Sequence, residues 1–264
     1  MSLDLESLVL LFLFFVLGSM IGSFLNVVIY RWPREESFVT PRSKCPRCKA
    51  PIPIYLNIPI LSWLMLLGKA NCCGDKINMR YPLVEFLTGA SFAFTFYKFG
   101  LTFETFEYCL FLGMAIPCFF IDLEHYLLPD IFTITGIFVG FAGSFMSLTR
   151  SPVDSFLGLF FGGGLFWFTA WFFEKVRKKE GLGFGDVKLI AWLGALGGLS
   201  SIPFILMASG FAGSLVGLFL VAFKGGTRNT ALPFGPFLIS SAVVYFYFLE
   251  DLQGLFPYLV GFLL

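Results

Sequence analysis

Two aspartates lie at the ends of hydrophobic segments. Asp122 directly follows the apolar run CFFI, and Asp186 directly precedes the apolar run VKLIAWL. Two carboxyl groups in a partly desolvated site share one proton, because like charges a few ångströms apart cannot both stay ionised. The ionised group can take a proton from water, and the protonated group can donate to a carbonyl oxygen or a leaving amine. Such a pair can hydrolyse a peptide bond without a metal ion or a covalent intermediate.

The residues around the two aspartates suggest how a substrate would reach them. The stretch GLGFGDVK, residues 181–188, has glycines at every second position before Asp186. Glycine lets the backbone bend tightly and lets another strand approach closely, so we predict that Gly183 and Gly185 admit a substrate backbone. A flexible loop with a solvated charge is the simpler interpretation and stays open.

Two further charged residues flank this candidate site. Asp130 ends the segment IDLEHYLLPD, and Lys188 follows Asp186 by two residues. We predict supporting roles for both. For Lys188 the alternative is a lysine at a helix start whose amine extends to the membrane surface.

The composition is that of an integral membrane protein. Of the 264 residues, 57% are hydrophobic and 13% are charged, and the mean hydropathy is +0.84. Soluble domains have roughly 25% charged residues. The apolar runs are continuous and approach the roughly 20 residues that a helix needs to cross a bilayer, so the fold class is predicted to be all-α and polytopic.

We predict about eight transmembrane helices. They are placed near residues 8–30, 82–99, 104–121, 130–149, 155–173, 187–199, 202–223 and 234–249. The first is expected to remain as a helix rather than act as a signal peptide, because acidic residues precede it and the run is long. The apolar tail 252–264 is too short to span and is expected in the interface.

The positive charges orient the helices. With the N-terminus outside, 16 of the 18 Lys and Arg residues fall on one side, and only Lys98 and Arg150 fall on the other. The positive-inside rule makes the first side cytoplasmic, and this basic face is expected to contact anionic lipids. Asp122 and Asp186 then reach the same cytoplasmic depth.

A hydrophilic insert, residues 31–81, separates the first helix from the others, which form a core at residues 82–264. Cys45 and Cys48 form a C-x-x-C pair, and Cys72 and Cys73 follow. Thiolates at this separation suggest a tetrahedral structural zinc site, with Cys45, Cys48 and Cys73 as ligands. Cys72 or Asp75 would complete the shell.

The spacing of this cysteine pattern is irregular. A second C-x-x-C pair would need cysteines at positions 70 and 73, and position 70 is Ala. Reduced structural thiols are therefore the alternative.

Seven motifs, taken in order, resemble those of the bacterial prepilin peptidases, also called type 4 prepilin leader peptidases. They are GSFLNVVIYRWP, CPRC, NIPILSWLMLLGK, RYPLVE, IDLEHYLLPD, GLGFGDVKL and LPFGPFL, spread over about residues 18 to 240. These enzymes are polytopic aspartic proteases of the GxGD group. The resemblance implies that Asp122 and Asp186 are the catalytic pair.

The same resemblance implies a substrate and a second activity. Such enzymes act at the cytoplasmic face of the inner membrane, where they remove the short basic leader of type IV prepilins and of pseudopilins from related secretion systems. Many then methylate the new N-terminus with S-adenosylmethionine, an activity that depends on the cytoplasmic insert. Membrane lipids are the other expected partners, and no nucleic acid is expected.

Two other classes of function stay open. A proton-coupled transporter or channel also places carboxylates within the membrane, although the sequence shows no inverted repeat. A membrane scaffold would leave the two acids merely solvated. Cleavage of a pilin precursor by the purified protein separates these three possibilities.

Overall fold

The computed structural model describes residues 4–38, 44, 45, 47–177, 183–224 and 232–255. Across these ranges the chain is mainly helical, and its only β-type pairings are two isolated bridges in the insert. The predicted all-α fold class is therefore confirmed. Gly181 and most of the apolar tail lie outside the described ranges.

The described residues form nine α-helices. They are α1 (Leu5–Arg31), α2 (Leu61–Met65), α3 (Arg80–Phe99), α4 (Phe103–His125), α5 (Asp130–Gly143), α6 (Pro152–Arg177), α7 (Phe184–Gly197), α8 (Ser201–Lys224) and α9 (Gly235–Leu255). Each predicted span falls on one of these helices, and the short α2 belongs to the insert.

Four of the helices described here are long and apolar enough to cross a membrane. These segments are Leu5–Arg34, Phe103–His125, Pro152–Val176 and Ser201–Phe223. Shorter apolar helices lie at Asp130–Gly143 and Gly235–Leu249. The chain is therefore a polytopic helical membrane protein.

Helix α5 ends at Gly143, whereas the sequence predicted a span to about residue 149. The Arg150 side chain donates a hydrogen bond to the carbonyl of Gly140 at 2.8 Å. A basic side chain that satisfies a carbonyl of the last turn is a common way to end a helix.

Helices α7 and α8 are separated at Gly198. This residue has a φ of +75°, and its N–H donates to the Gly194 carbonyl at 2.9 Å. Because glycine adopts positive φ without steric cost, the long apolar run breaks at this point.

The chain divides into two compact units, residues 1–117 and 118–264. In the first unit, α1 packs closely on α3. A Cβ added at Gly18 would lie 2.6 Å from the Thr88 carbonyl oxygen, and one at Gly22 would lie 2.8 Å from Glu85 Cα. Small residues spaced four apart permit this close approach of two helices.

In the second unit, α7 packs against both α5 and α6. A Cβ at Gly136 of α5 would overlap the Trp192 indole, and Gly158 of α6 faces Gly194 backbone to backbone. The Ser155 hydroxyl also donates to the Ala195 carbonyl at 2.6 Å. This packing fixes the position of the first turn of α7, which carries Asp186.

Candidate active site and cysteine cluster

Asp122 lies in the last turn of α4 and faces the first residue of α9. The backbone N–H of Gly235 donates to Asp122 Oδ2 at 3.0 Å, and Asp122 is only 5% exposed. The N–H groups of a first helical turn have no partner within the helix, and the helix N-terminus carries partial positive charge. This end of α9 therefore stabilises an ionised carboxylate at Asp122.

Asp186 lies in the first turn of α7 and is half-buried. Its carboxyl group is near enough to that of Asp122 for the two charges to interact. The structure thus brings the two predicted aspartates together in the second unit. Their site is built from the last turn of α4 and the first turns of α7 and α9.

The two glycines before Asp186 have different surroundings. Gly183 is exposed, and a Cβ there would lie 3.6 Å from Asp186 Oδ2, an ordinary contact distance. A Cβ at Gly185 would lie only 3.0 Å from Leu128 Cβ. The space beside Gly185 is therefore filled by Leu128, whereas the side of Asp186 next to Gly183 is open.

Two residues beside Asp122, Gly235 and Leu128, were not predicted from the sequence to belong to the site. A Cβ at Gly235 would lie 2.6 Å from Asp122 Oδ2 and 3.2 Å from Leu128 Cδ2. Leu128 thus contacts the starts of both α7 and α9 beside the Asp122 carboxylate. A Gly-Pro pair after a loop is a signal for a helix start, but it does not indicate what that start faces.

Asp130 and Lys188 form an ion pair. Lys188 Nζ lies 2.7 Å from Asp130 Oδ1, with side-chain exposures of 33% and 59%. The pair joins the first turn of α5 to the second turn of α7. Partly exposed pairs of this kind contribute up to about 1 kcal/mol.

The four cysteines of the insert form one cluster in the first unit. Their Sγ atoms all lie within 4.8 Å of one another. The Cys45–Cys73, Cys72–Cys73 and Cys48–Cys72 distances are 3.7, 3.9 and 3.2 Å. Tetrahedral zinc with bonds of about 2.3 Å separates its sulfur ligands by about 3.8 Å, so this cluster fits a zinc ion.

Local contacts favour Cys72 over Asp75 as the fourth ligand. The Asp75 carboxylate accepts a hydrogen bond from Arg47 Nη1 at 2.6 Å. Gly74 has a φ of +70° and donates its N–H to the Ala70 carbonyl at 2.7 Å, which makes a tight turn. This turn brings both adjacent cysteines to the cluster although position 70 is Ala.

Hydrogen bonds within the cluster shift the thiol pKa values in opposite directions. Hydrogen bonding from the Cys48 backbone N–H lowers the pKa of the Cys45 thiol to about 6. The neighbouring thiols, chiefly that of Cys48, raise the pKa of Cys72 to about 12. The cluster therefore favours one thiolate, the form in which cysteine binds metals.

Two parts of the chain match known protein families. Residues 16–99 match the bacterial peptidase A24 N-terminal domain, and residues 109–218 match the type IV leader peptidase family. The second match contains both Asp122 and Asp186. No solved structure matches the chain.

Several relatives named prepilin leader peptidase/N-methyltransferase are similar over most of the chain. The Pseudomonas aeruginosa protein is 33% identical, with 84% of this chain and 85% of the relative aligned. The Xanthomonas campestris protein is 35% identical, with 89% and 90% aligned. The Myxococcus xanthus protein is 39% identical, with 82% and 66% aligned. With this identity over this length, the chain belongs to the type IV leader peptidase family.

Proposed function

We propose that the protein is a membrane aspartic endopeptidase that removes the leader peptides of type IV prepilins and pseudopilins. The observation that carries the proposal is the meeting of Asp122 and Asp186, with the N–H of Gly235 on Asp122. The names of the relatives support the substrate class.

The surroundings of the two aspartates suggest separate roles. Asp122 accepts an N–H at a helix N-terminus, which favours its ionised form, so it is the general base. Asp186 is half-buried beside that negative charge and keeps its proton, so it is the general acid. This division follows from the one hydrogen bond that distinguishes the two acids.

Hydrolysis then proceeds in two steps. Asp122 takes a proton from water as the water oxygen bonds to the scissile carbonyl carbon, and Asp186 protonates the carbonyl oxygen. In the second step the proton on Asp122 passes to the leaving amine as the C–N bond breaks. Asp186 regains its proton when the carbonyl re-forms, so both groups return to their starting states.

The groups around the pair shape the substrate path. Exposed Gly183 leaves one side of Asp186 open, and the substrate backbone approaches there. Gly185 contributes by accepting Leu128, which closes the other side. The Lys188–Asp130 pair supports the site by holding the start of α7 to the start of α5.

The direct test is cleavage of a synthetic prepilin by the purified protein in lipid vesicles. Leader loss seen by mass spectrometry would support the peptidase and exclude a transporter, channel or scaffold as the main function. Absence of cleavage by folded protein would reject the proposal.

The cysteine cluster supports a second proposal, a structural zinc ion held by Cys45, Cys48, Cys72 and Cys73. The ion would cross-link the two turns of the insert, which has little core of its own. We expect one zinc per chain by elemental analysis and a large loss of zinc in Cys72→Ser protein. Asp75→Asn is the matched control and retains the metal. Metal-free protein with a folded insert would favour reduced thiols instead.

The relatives' names also support an N-methyltransferase activity. The family resemblance implies that it acts on the new N-terminus with S-adenosylmethionine as the donor. A cavity of about 490 Å³ in the first unit is lined by Val16, Met20, Ser23, Phe24, Asn57, Ile58 and Pro59. A charged sulfonium donor does not fit this mainly apolar lining, so no residue is assigned to it. The mass of a co-expressed pilin's N-terminus tests methylation and leader loss together.

We place the protein in the inner membrane with its active site at the cytoplasmic face, and we assign methylation to the 31–81 insert and cleavage to the 82–264 core. A reporter fused near residue 60 is expected to behave as cytoplasmic, because 16 of the 18 basic residues then lie inside. Periplasmic reporter activity at that point would overturn this topology.

A further inference from the structure

An apolar surface is exposed on the insert around α2. Its side chains are about half exposed or more, and Met65 and Leu67 reach 82% and 84%. The members of this surface are Tyr55, Ile58, Leu61, Leu64, Met65 and Leu67. Large contiguous apolar patches on a protein surface mark contact with another protein or with a membrane.

A buried carboxylate connects this surface to helix α3. The backbone N–H of Ile60 donates to Glu85 Oε2 at 2.6 Å, and Glu85 is 8% exposed. Glu85 lies five residues after the start of α3, or about 8 Å along the helix. The apolar surface is therefore attached to the second turn of α3.

The backbone at the attachment point is strained. Ile60 has φ +62° and ψ −52°, and the Leu61 N–H donates to the Pro59 carbonyl at 2.5 Å, which makes a γ-turn of the rare positive-φ type. Such a conformation costs about 1–3 kcal/mol at a non-glycine residue and persists only where the surroundings enforce it. The contact with Glu85 supplies that constraint.

The same segment continues the outer face of α1. Ile58 and Pro59 line the 490 Å³ cavity together with Val16, Met20 and Phe24. These three α1 residues are spaced four apart, so they lie on one side of a helix apolar enough to span the membrane. Met20 and Phe24 are 59% and 53% exposed, as expected of lipid-facing side chains.

We propose that the apolar surface of Tyr55, Ile58, Leu61, Leu64, Met65 and Leu67 is embedded in the lipid bilayer at its cytoplasmic boundary. Exposed Lys69 follows the surface, and a basic residue beside an apolar segment is typical of the membrane interface. The insert thus contacts lipid on one side, while Cys48, Cys72 and Cys73 are exposed elsewhere on it.

Depth measurements on the full chain test this proposal without reference to activity. The protein is reconstituted in vesicles of phosphatidylethanolamine and phosphatidylglycerol, with a nitroxide attached through a genetically encoded ketone side chain at position 64, 65 or 67. We expect these labels to collide with oxygen and to be protected from a water-soluble nickel chelate, as at position 24. Labels at Lys49 and Lys76 are the exposed controls and show the reverse.

Two results would overturn the proposal. Free collision of the chelate with labels at 65 and 67, as at 76, would place the surface in water. Protection from both oxygen and chelate would show that protein covers it. A label at 65 in Glu85→Ala protein should gain chelate access, whereas Glu85→Gln, which keeps an acceptor, should not. If Glu85→Ala protein fails to fold, the labels at 64, 65 and 67 in protein that retains Glu85 decide the proposal.

Discussion

Asp122→Asn and Asp186→Asn proteins are each expected to lose prepilin cleavage by at least about 1,000-fold in kcat/KM. Asparagine keeps the shape of the side chain but can neither take a proton from water nor return one to the substrate. Because the two acids act as a unit, the double variant should be no worse than either single variant. The measurement is a time course of leader release from a synthetic prepilin in vesicles.

Two further variants, expected to have no effect and a small effect, serve as controls for this result. Asp75→Asn changes a partly exposed acid of the insert and should cleave normally, whereas Asp130→Asn removes the ion pair with Lys188. Loss of a contact worth up to about 1 kcal/mol corresponds to at most roughly a fivefold effect. Substantial cleavage by folded Asp186→Asn protein would remove Asp186 from the catalytic pair.

Gly235→Ala is expected to lower kcat/KM by roughly 10- to 100-fold. The added Cβ would lie 2.6 Å from Asp122 Oδ2, so the carboxylate must move and its hydrogen bond to the Gly235 N–H is lost. A hydrogen bond to a charged group contributes about 1.5–3 kcal/mol, which sets the size of the effect. Because this contact acts on the general base, the loss should appear mainly in kcat.

Gly210→Ala is the matched control for this variant. Gly210 lies in α8 of the same unit, and a Cβ there meets no atom within 4 Å. Both proteins should reach the membrane in similar amounts. If Gly235→Ala cleaves as fast as Gly210→Ala, the start of α9 has no part in setting the state of Asp122.

The positions of the helices were predicted from hydropathy alone. Continuous apolar runs predicted eight spans, and each coincides with a helix, but only four of the described helices are long and apolar enough to cross a membrane. The end of α5 was missed, since it depends on the Arg150 side chain reaching back to Gly140. A hydropathy pattern carries no information about such a side-chain contact.

The cysteine cluster was only partly predictable. The spacing indicated a metal site but could not choose between Cys72 and Asp75, because sequence spacing says nothing about where a turn directs its side chains. The tight turn at Gly74 and the Arg47–Asp75 hydrogen bond favour Cys72.

The sequence by itself determined the membrane class and the helix positions, because these depend on local composition and on the borders of apolar runs. That the two aspartates lie at one membrane depth stays a prediction. Tertiary structure alone decided that the N–H of Gly235 contacts Asp122 across 113 positions, and that Leu128 fills the space beside Gly185. Such contacts depend on how α4, α7 and α9 are rotated and packed. Packing of this kind is set by side-chain shapes along whole helices, which no short motif records.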